Sequence, residues 1–295
     1  MITFFLALSI LTITAGCAVL AGRNSRLATY WGVGGALVGC LAGLAPAIQV
    51  LMGSSGLSFR SAWDVPYGEV YLAIDPLAAF FLLPIFGVSA LAAVYSSEYL
   101  RPFGERRSLG PVFGWFNVLI ASMALVVAAR NAVLFLVAWE VMSLASFFLV
   151  TFEDEREEVR EAGWTYLVAT HLGTAFLFVL FTLLGRHAGS MNFDQFTAIS
   201  VASPTLAAVL FLLALVGFGT KAGFMPLHVW LPEAHPAAPS HVSAVMSGVM
   251  IKLGIYGILR TLTFLGPPPA WWGQTFLMIG MTSGVLGVLF ALAQH

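Results

Sequence analysis

GFGTKAGFMPLHVWLPEAHPAAPS, residues 217–240, is the stretch that decides how this chain folds. Gly217 and Gly219 precede Lys221, and Pro226, Pro232, Pro236 and Pro239 follow it. An interior proline removes a helical hydrogen bond and its ring clashes with the preceding turn, so one continuous helix is excluded. The residues before it are apolar enough to lie in a bilayer, where a broken helix is tolerated only if protein or a water-filled cavity satisfies the freed backbone groups. A lysine at such a break must be deprotonated, paired or facing water, and any of these marks it as a functional candidate.

Outward from the break, the rest of the chain has the same character. Of 295 residues, 59% are hydrophobic and only 9% charged, against about 25% charged in an average soluble domain. Mean hydropathy is +0.92. An apolar core of about 30 Å requires about 20 residues per helix. By that ruler nine segments emerge, at 2–22, 28–52, 71–97, 111–129, 131–152, 163–186, 204–233, 240–264 and 270–293. The expected fold is all-α, a polytopic transmembrane bundle of about nine helices with no soluble domain. Gly53-Ser54-Ser55-Gly56, the charged run 153–161 and Gly266 to Pro269 are among the connections. Residues 1–22 lack a positive leader and a small-residue cleavage signal, so a retained span is expected.

Loops after odd-numbered helices hold seven arginines (Arg23, Arg26, Arg101, Arg106, Arg107, Arg156, Arg160), and those after even-numbered ones hold four (Arg60, Arg130, Arg186, Arg260). The excess places the odd loops inside and the N-terminus outside. A net charge of −1 without a basic tail gives no support for nucleic-acid binding. Cys17 and Cys40 form no CxxC or Cys/His cluster, so no metal, iron–sulfur cluster or other cofactor is expected. Gly35, Gly39 and Gly43 read as a helix-packing stripe.

Five titratable residues in the apolar segments are candidates for a proton pathway: Glu140, His171, Lys221, His241 and Lys252. Glu140 lies ten residues beyond Arg130, a rise of about 15 Å and hence near mid-membrane. It is the expected partner of Lys221, since burial opposes both charges while proximity favours both. The alternative for that pair is a static buried ion pair, which contributes little net stability. At about 100° per residue, His241, Val245, Gly248, Lys252 and Tyr256 share one face of the eighth helix. His171 suits either a relay or an interhelical hydrogen bond. His228 and His235 read as packing residues of the broken stretch, and Asp75-Pro76 as a helix cap.

The run from Lys221 to Ser240, continuing through Ser243-Ala-Val-Met-Ser-Gly-Val-Met-Ile-Lys252-Leu-Gly-Ile-Tyr-Gly-Ile-Leu-Arg260, closely resembles the antiporter-like proton-translocating membrane subunits of respiratory complex I and its relatives. Trp139-Glu140-Val-Met-Ser-Leu-Ala-Ser resembles the fifth-helix glutamate motif of that family. His-Pro-Ala-Ala-Pro-Ser-His, residues 235–241, and Thr170-His171-Leu-Gly are most similar to the large membrane subunit of formate hydrogenlyase and hydrogenase-4 type complexes.

The resemblance implies two inverted five-helix repeats, helices four to eight forming the first and including a broken seventh helix. In it Lys221 is the broken-helix lysine, Glu140 its modulating carboxylate and Lys252 the central-axis lysine. The corresponding divisions are 1–110, a three-helix membrane segment; 111–265, the proton-translocating repeat; and 266–295, the start of a second repeat. Family members continue for at least five more helices, so Ala293-Gln294-His295 is expected to close only an N-terminal part of such a subunit. The implied function is proton movement in a hydrogenase- or NADH/quinone-linked oxidoreductase complex. There the chain would work beside other membrane subunits and a soluble redox module in the cell inner (cytoplasmic) membrane, with no redox centre of its own. Two alternatives stay open: a subunit of a multisubunit sodium/proton antiporter, moving sodium as well as protons, and a noncatalytic membrane anchor for a hydrogenase.

Overall fold

The apolar segments become helices almost throughout the computed structural model, which describes residues 1–196 and 203–293. In chain order the helices are α1 (Ile2–Leu20), α2 (Ser25–Leu51), α3 (Pro76–Tyr99), α4 (Gly110–Ala128), α5 (Ala132–Val150), α6 (Glu157–Ala188), α7 (Pro204–Ala222), α8 (Leu231–Ala237), α9 (Ser240–Leu265) and α10 (Ala270–Leu292). All except the short α8 are long and apolar enough to cross a membrane, giving nine spans among the described residues. The chain is a multi-pass membrane protein with the expected all-α bundle.

Polar residues at the boundaries fix where the helices begin. Asn24, Asp75, Asn131 and Ser203 each accept a backbone N–H of the first turn of α2, α3, α5 and α7, and Pro76 and Pro204 follow two of these caps. The charged run 153–161 is only partly a connection, because α6 already begins at Glu157. Glu157 and Glu158 occupy its first turn, where the positive end of the helix dipole favours carboxylates. Residues 71–74, read from sequence as the start of the third span, instead belong to a β-hairpin. Its strands, β1 (Leu57–Ala62) and β2 (Glu69–Ile74), pair antiparallel with Leu57 opposite Ile74. Asp75 is extended ahead of Pro76, which ends the strand and starts α3. Arg60 of β1 lies 3.7 Å above the Tyr71 ring and pairs with Asp194, tying the hairpin to the chain beyond α6.

The glycine stripe of α2 works as packing. A methyl at Gly39 would lie 2.7 Å from Leu11 of α1, one at Gly35 would overlap Thr14, and one at Gly43 would overlap the Phe86 ring of α3. Around Lys221 the approach is equally close. A methyl at Gly254 of α9 would lie 2.5 Å from the Phe218 carbonyl oxygen of α7, and one at Gly173 of α6 would lie 3.1 Å from the Gly217 carbonyl oxygen. Three helices therefore meet at backbone distance where the break begins. In α10 only Trp272 is buried, stacked on Phe211 of α7 with centroids 4.5 Å apart. Gln294 and His295, the end of the expected 266–295 division, lie outside the described residues.

Candidate functional site

The break is built from backbone groups that find protein partners. Helix α7 stops at Gly223, left-handed at φ 75° and ψ 34°, a conformation that glycine adopts without steric penalty. The Gly219 carbonyl then accepts the Phe224 N–H at 3.0 Å, and the Thr220 carbonyl accepts Trp230 Nε1–H at 2.8 Å. From α10, Ser283 Oγ accepts the Met225 N–H at 3.3 Å. Helix α8 resumes at Leu231.

Lys221 sits in the last turn of α7 and is 2% exposed. Its Nζ donates to Tyr166 Oη of α6 at 2.7 Å and to Ser143 Oγ of α5 at 3.3 Å. The Trp139 and Tyr166 ring centroids lie 6.0 and 5.0 Å from Nζ. Tyr166 Oη is also hydrogen-bonded to Ser146 Oγ. Desolvation acts against an ammonium here. The negative end of the helix dipole, two hydroxyls and two aromatic faces act for it.

Glu140 does not touch this lysine. Its carboxylate pairs with His171 Nε2 of α6 at 3.2 Å, and its other oxygen is buried without a hydrogen-bond partner. Turned about the axis of α5, Glu140 reaches α6 one turn away from Ser143, so the expected direct Glu140–Lys221 contact is replaced by Glu140–His171 and Lys221–Tyr166. His171 Nδ1 lies 2.9 Å from the Leu167 carbonyl, which can only accept, so Nδ1 carries a proton. The Nε2–carboxylate contact is an ion pair when Nε2 also carries a proton.

The second lysine departs from the expected stripe. A π turn at Met246–Met250 interrupts α9 and changes its helical phase between His241 and Lys252. His241, Val245 and Tyr256 are consequently buried, whereas Gly248 and Lys252 are exposed on the described surface. His241 packs between the Tyr99 and Phe116 rings with neither ring nitrogen hydrogen-bonded, and Lys252 Nζ donates to the Ser247 carbonyl. The structure does not bring His241 and Lys252 together. Instead His235 of α8 reaches α9, with Nδ1 3.0 Å from Ser243 Oγ and 3.2 Å from Ser247 Oγ.

Asp75 is the expected cap, accepting the Ala78 N–H at 2.9 Å, but it also holds two arginines. It accepts from Arg260 Nη1 and Nη2 at 2.6 and 2.8 Å and pairs with Arg130 Nη2 at 3.0 Å. Burial opposes its charge. The Arg260 hydrogen bonds, the two guanidinium charges and the Ala78 N–H outweigh that and hold the carboxyl down at about 2. Tyr256 Oη accepts from Arg260 Nε at 3.2 Å and donates to the Val127 carbonyl at 2.6 Å, joining α3, α4 and α9. Among the described residues no three His, Cys, Asp or Glu side chains cluster as a metal site.

Tyr166 and the Asp75–Arg260 pair are site features that sequence reasoning did not find. A lone tyrosine in an apolar helix carries no signal, and 185 residues separate Asp75 from Arg260. Ser143 and Ser146 were visible within the Trp139–Ser146 motif.

The chain is thus a multi-pass bundle with a lysine buried at a helix break and titratable side chains around it, a pattern that marks ion sites in transporters. Residues 129–295 match the NADH:quinone oxidoreductase/Mrp antiporter transmembrane family, and the chain belongs to that family. It is 41% identical to hydrogenase-4 component B of Escherichia coli over 262 residues, 88% of this chain and 38% of that protein. Formate hydrogenlyase subunit 3 of the same organism is 31% identical over 264 residues, 90% of this chain and 41% of that protein. Among solved structures, a chain of the Mrp complex from Dietzia superposes with a TM-score of 0.82 at 29% identity, covering 99% of this chain and 31% of that one. The chain thus spans about two fifths of the length of these two curated relatives.

Proposed function

We propose that this chain forms the first part of a proton-conducting subunit in a hydrogenase- or NADH/quinone-linked oxidoreductase complex. The observation that carries the reading is Lys221: buried at a helix break and bonded to neutral hydroxyls, beside α5 and α6, on which Glu140 and His171 meet. A group that loads and unloads a proton requires opposing influences of comparable size. A static ion pair would instead place a carboxylate against the lysine. In this reading Lys221 and Lys252 carry protons, Glu140 and His171 bias Lys221, and residues 111–265 form the translocating repeat. His241 has a weaker claim than the sequence suggested, since it meets only aromatic rings.

The relatives named for hydrogenase-4 and formate hydrogenlyase support other subunits of a membrane complex as partners, and a soluble redox module beside them is part of the proposal. The inner membrane with the N-terminus outside is the matching placement. It is supported by the arginine excess on the opposite side, and because Arg130 and Arg260 on the sparse side are committed to Asp75. The Dietzia Mrp likeness favours a second reading, a cation/proton antiporter subunit. Measuring Glu140→Gln in the assembled, liposome-reconstituted complex separates the possibilities. Slower proton movement with normal assembly, independent of sodium, supports the first reading. Loss that appears only in sodium exchange supports the second. Unchanged ion movement with defective assembly indicates a membrane anchor.

A further inference from the structure

The two elements that follow the break, α8 and α9, meet at His235. Pro236 and Pro239 end α8 and start α9, folding the His235 side chain of α8 back onto the first two turns of α9. Its half-buried ring meets both hydroxyls that this face of α9 offers, Ser243 at 3.0 Å and Ser247 at 3.2 Å. Ser247 lies inside the π turn, where Ile251 N–H bonds the Met246 carbonyl five residues back. The Ser247 carbonyl accepts from Lys252 Nζ. One residue therefore presents its hydroxyl to the histidine and its carbonyl to the lysine. Single π turns inside helices recur at functional sites.

We propose that His235 is a proton relay to Lys252, acting through the Ser247 hydroxyl. Lys252 Nζ, on a flexible stem, turns from the Ser247 carbonyl to the hydroxyl of the same residue. The hydroxyl takes a proton from the ammonium on a lone pair and releases its own to His235 Nδ1. Lysine is left as the amine and the ring becomes imidazolium, with no change in electrons. Return of the proton runs through the same bonds in reverse. Ser243 holds the ring in register from the turn below. Beside α8, Pro232, Glu233 and Pro236, which flank His235 in sequence, line an open groove of about 690 Å³ with Glu158, Glu161 and Arg156 of the α6 end. The inference rests on the proton-conducting reading.

The test uses the complete subunit in its assembled complex, reconstituted in liposomes, with subunit content measured alongside. His235→Asn keeps a polar group of similar shape but cannot carry a proton. It is expected to slow proton translocation by roughly 10²-fold with normal assembly, and millimolar imidazole is expected to recover part of the rate. Wild-type translocation, or a loss that imidazole does not touch, overturns the relay. If His235→Asn fails to assemble, Ser243→Ala with Ser247→Ala decides. That pair keeps the imidazole but removes both hydroxyls it meets, and a wild-type rate then overturns the proposal. Lys221→Arg, run in parallel, separates the two levels. A slowed Lys221→Arg beside an unaffected His235→Asn removes only the relay, whereas wild-type rates in both remove the conducting reading as well.

Discussion

Lys221 is tied to hydroxyls rather than to a carboxylate, and that changes which neighbour matters. Tyr166 Oη both donates and accepts, so it can accept from an ammonium while donating to Ser146, or donate to a neutral amine. Tyr166→Phe removes one hydrogen bond each from Nζ and Ser146, which keep their bonds to Ser143 Oγ and to the Met142 carbonyl, so each loss costs about 0.5–1.5 kcal/mol. A lowered melting temperature in detergent together with slower translocation is expected, and a variant unchanged in both would remove Tyr166 as the partner. At Asp75 the direction follows from its depressed carboxyl, about 2 in the fold against an ordinary 3.8. Its contribution is present above the ordinary value and is lost as pH falls through about 2. Asp75→Asn keeps a good cap but gives up the charge that two arginines require. Melting curves should show the variant less stable at pH 7, with the gap closing as pH falls below 4. A gap of constant size would mean that the arginines do not depend on this charge.

At the scale of elements, the break was legible and the phase was not. The glycines and prolines of 217–239 announce a break, because both residue types act on the backbone locally, although Gly217 and Gly219 stay helical and Gly223 ends α7. The π turn leaves no such mark. Met246 to Met250, Met-Ser-Gly-Val-Met, has no residue that demands a π turn, and beyond it Gly254 and Gly257 pack on Phe218 while Lys252 lies off the His241 face. Strand β2 was hidden for a related reason, its apolar residues running into those of α3 without an obvious change of composition. Gly223 offers the direct check on the break. Its φ of 75° lies in the left-handed region, and a methyl there would overlap Leu231. Gly223→Ala is expected to destabilise by at least about 1–2 kcal/mol, read as a lower melting temperature. Gly273, with open space around its added methyl, serves as the neutral control in α10.

Over the whole molecule, composition and length were enough to give nine spans and the membrane class, since a bilayer imposes helix length on any chain that crosses it. Side-chain partnerships were less legible. Opposite charge alone pairs Glu140 of α5 with Lys221 of α7, whereas the three-dimensional bundle also offers Ser143 of α5 and Tyr166 and His171 of α6. The central claim is that Lys221 takes up and releases a proton. Lys221→Arg keeps the charge at a site that accommodates a cation and cannot lose its proton at accessible pH. Proton translocation by the assembled complex carrying this substitution is the direct measurement: near-abolished translocation with intact assembly is the predicted result, and translocation at the wild-type rate would contradict the account.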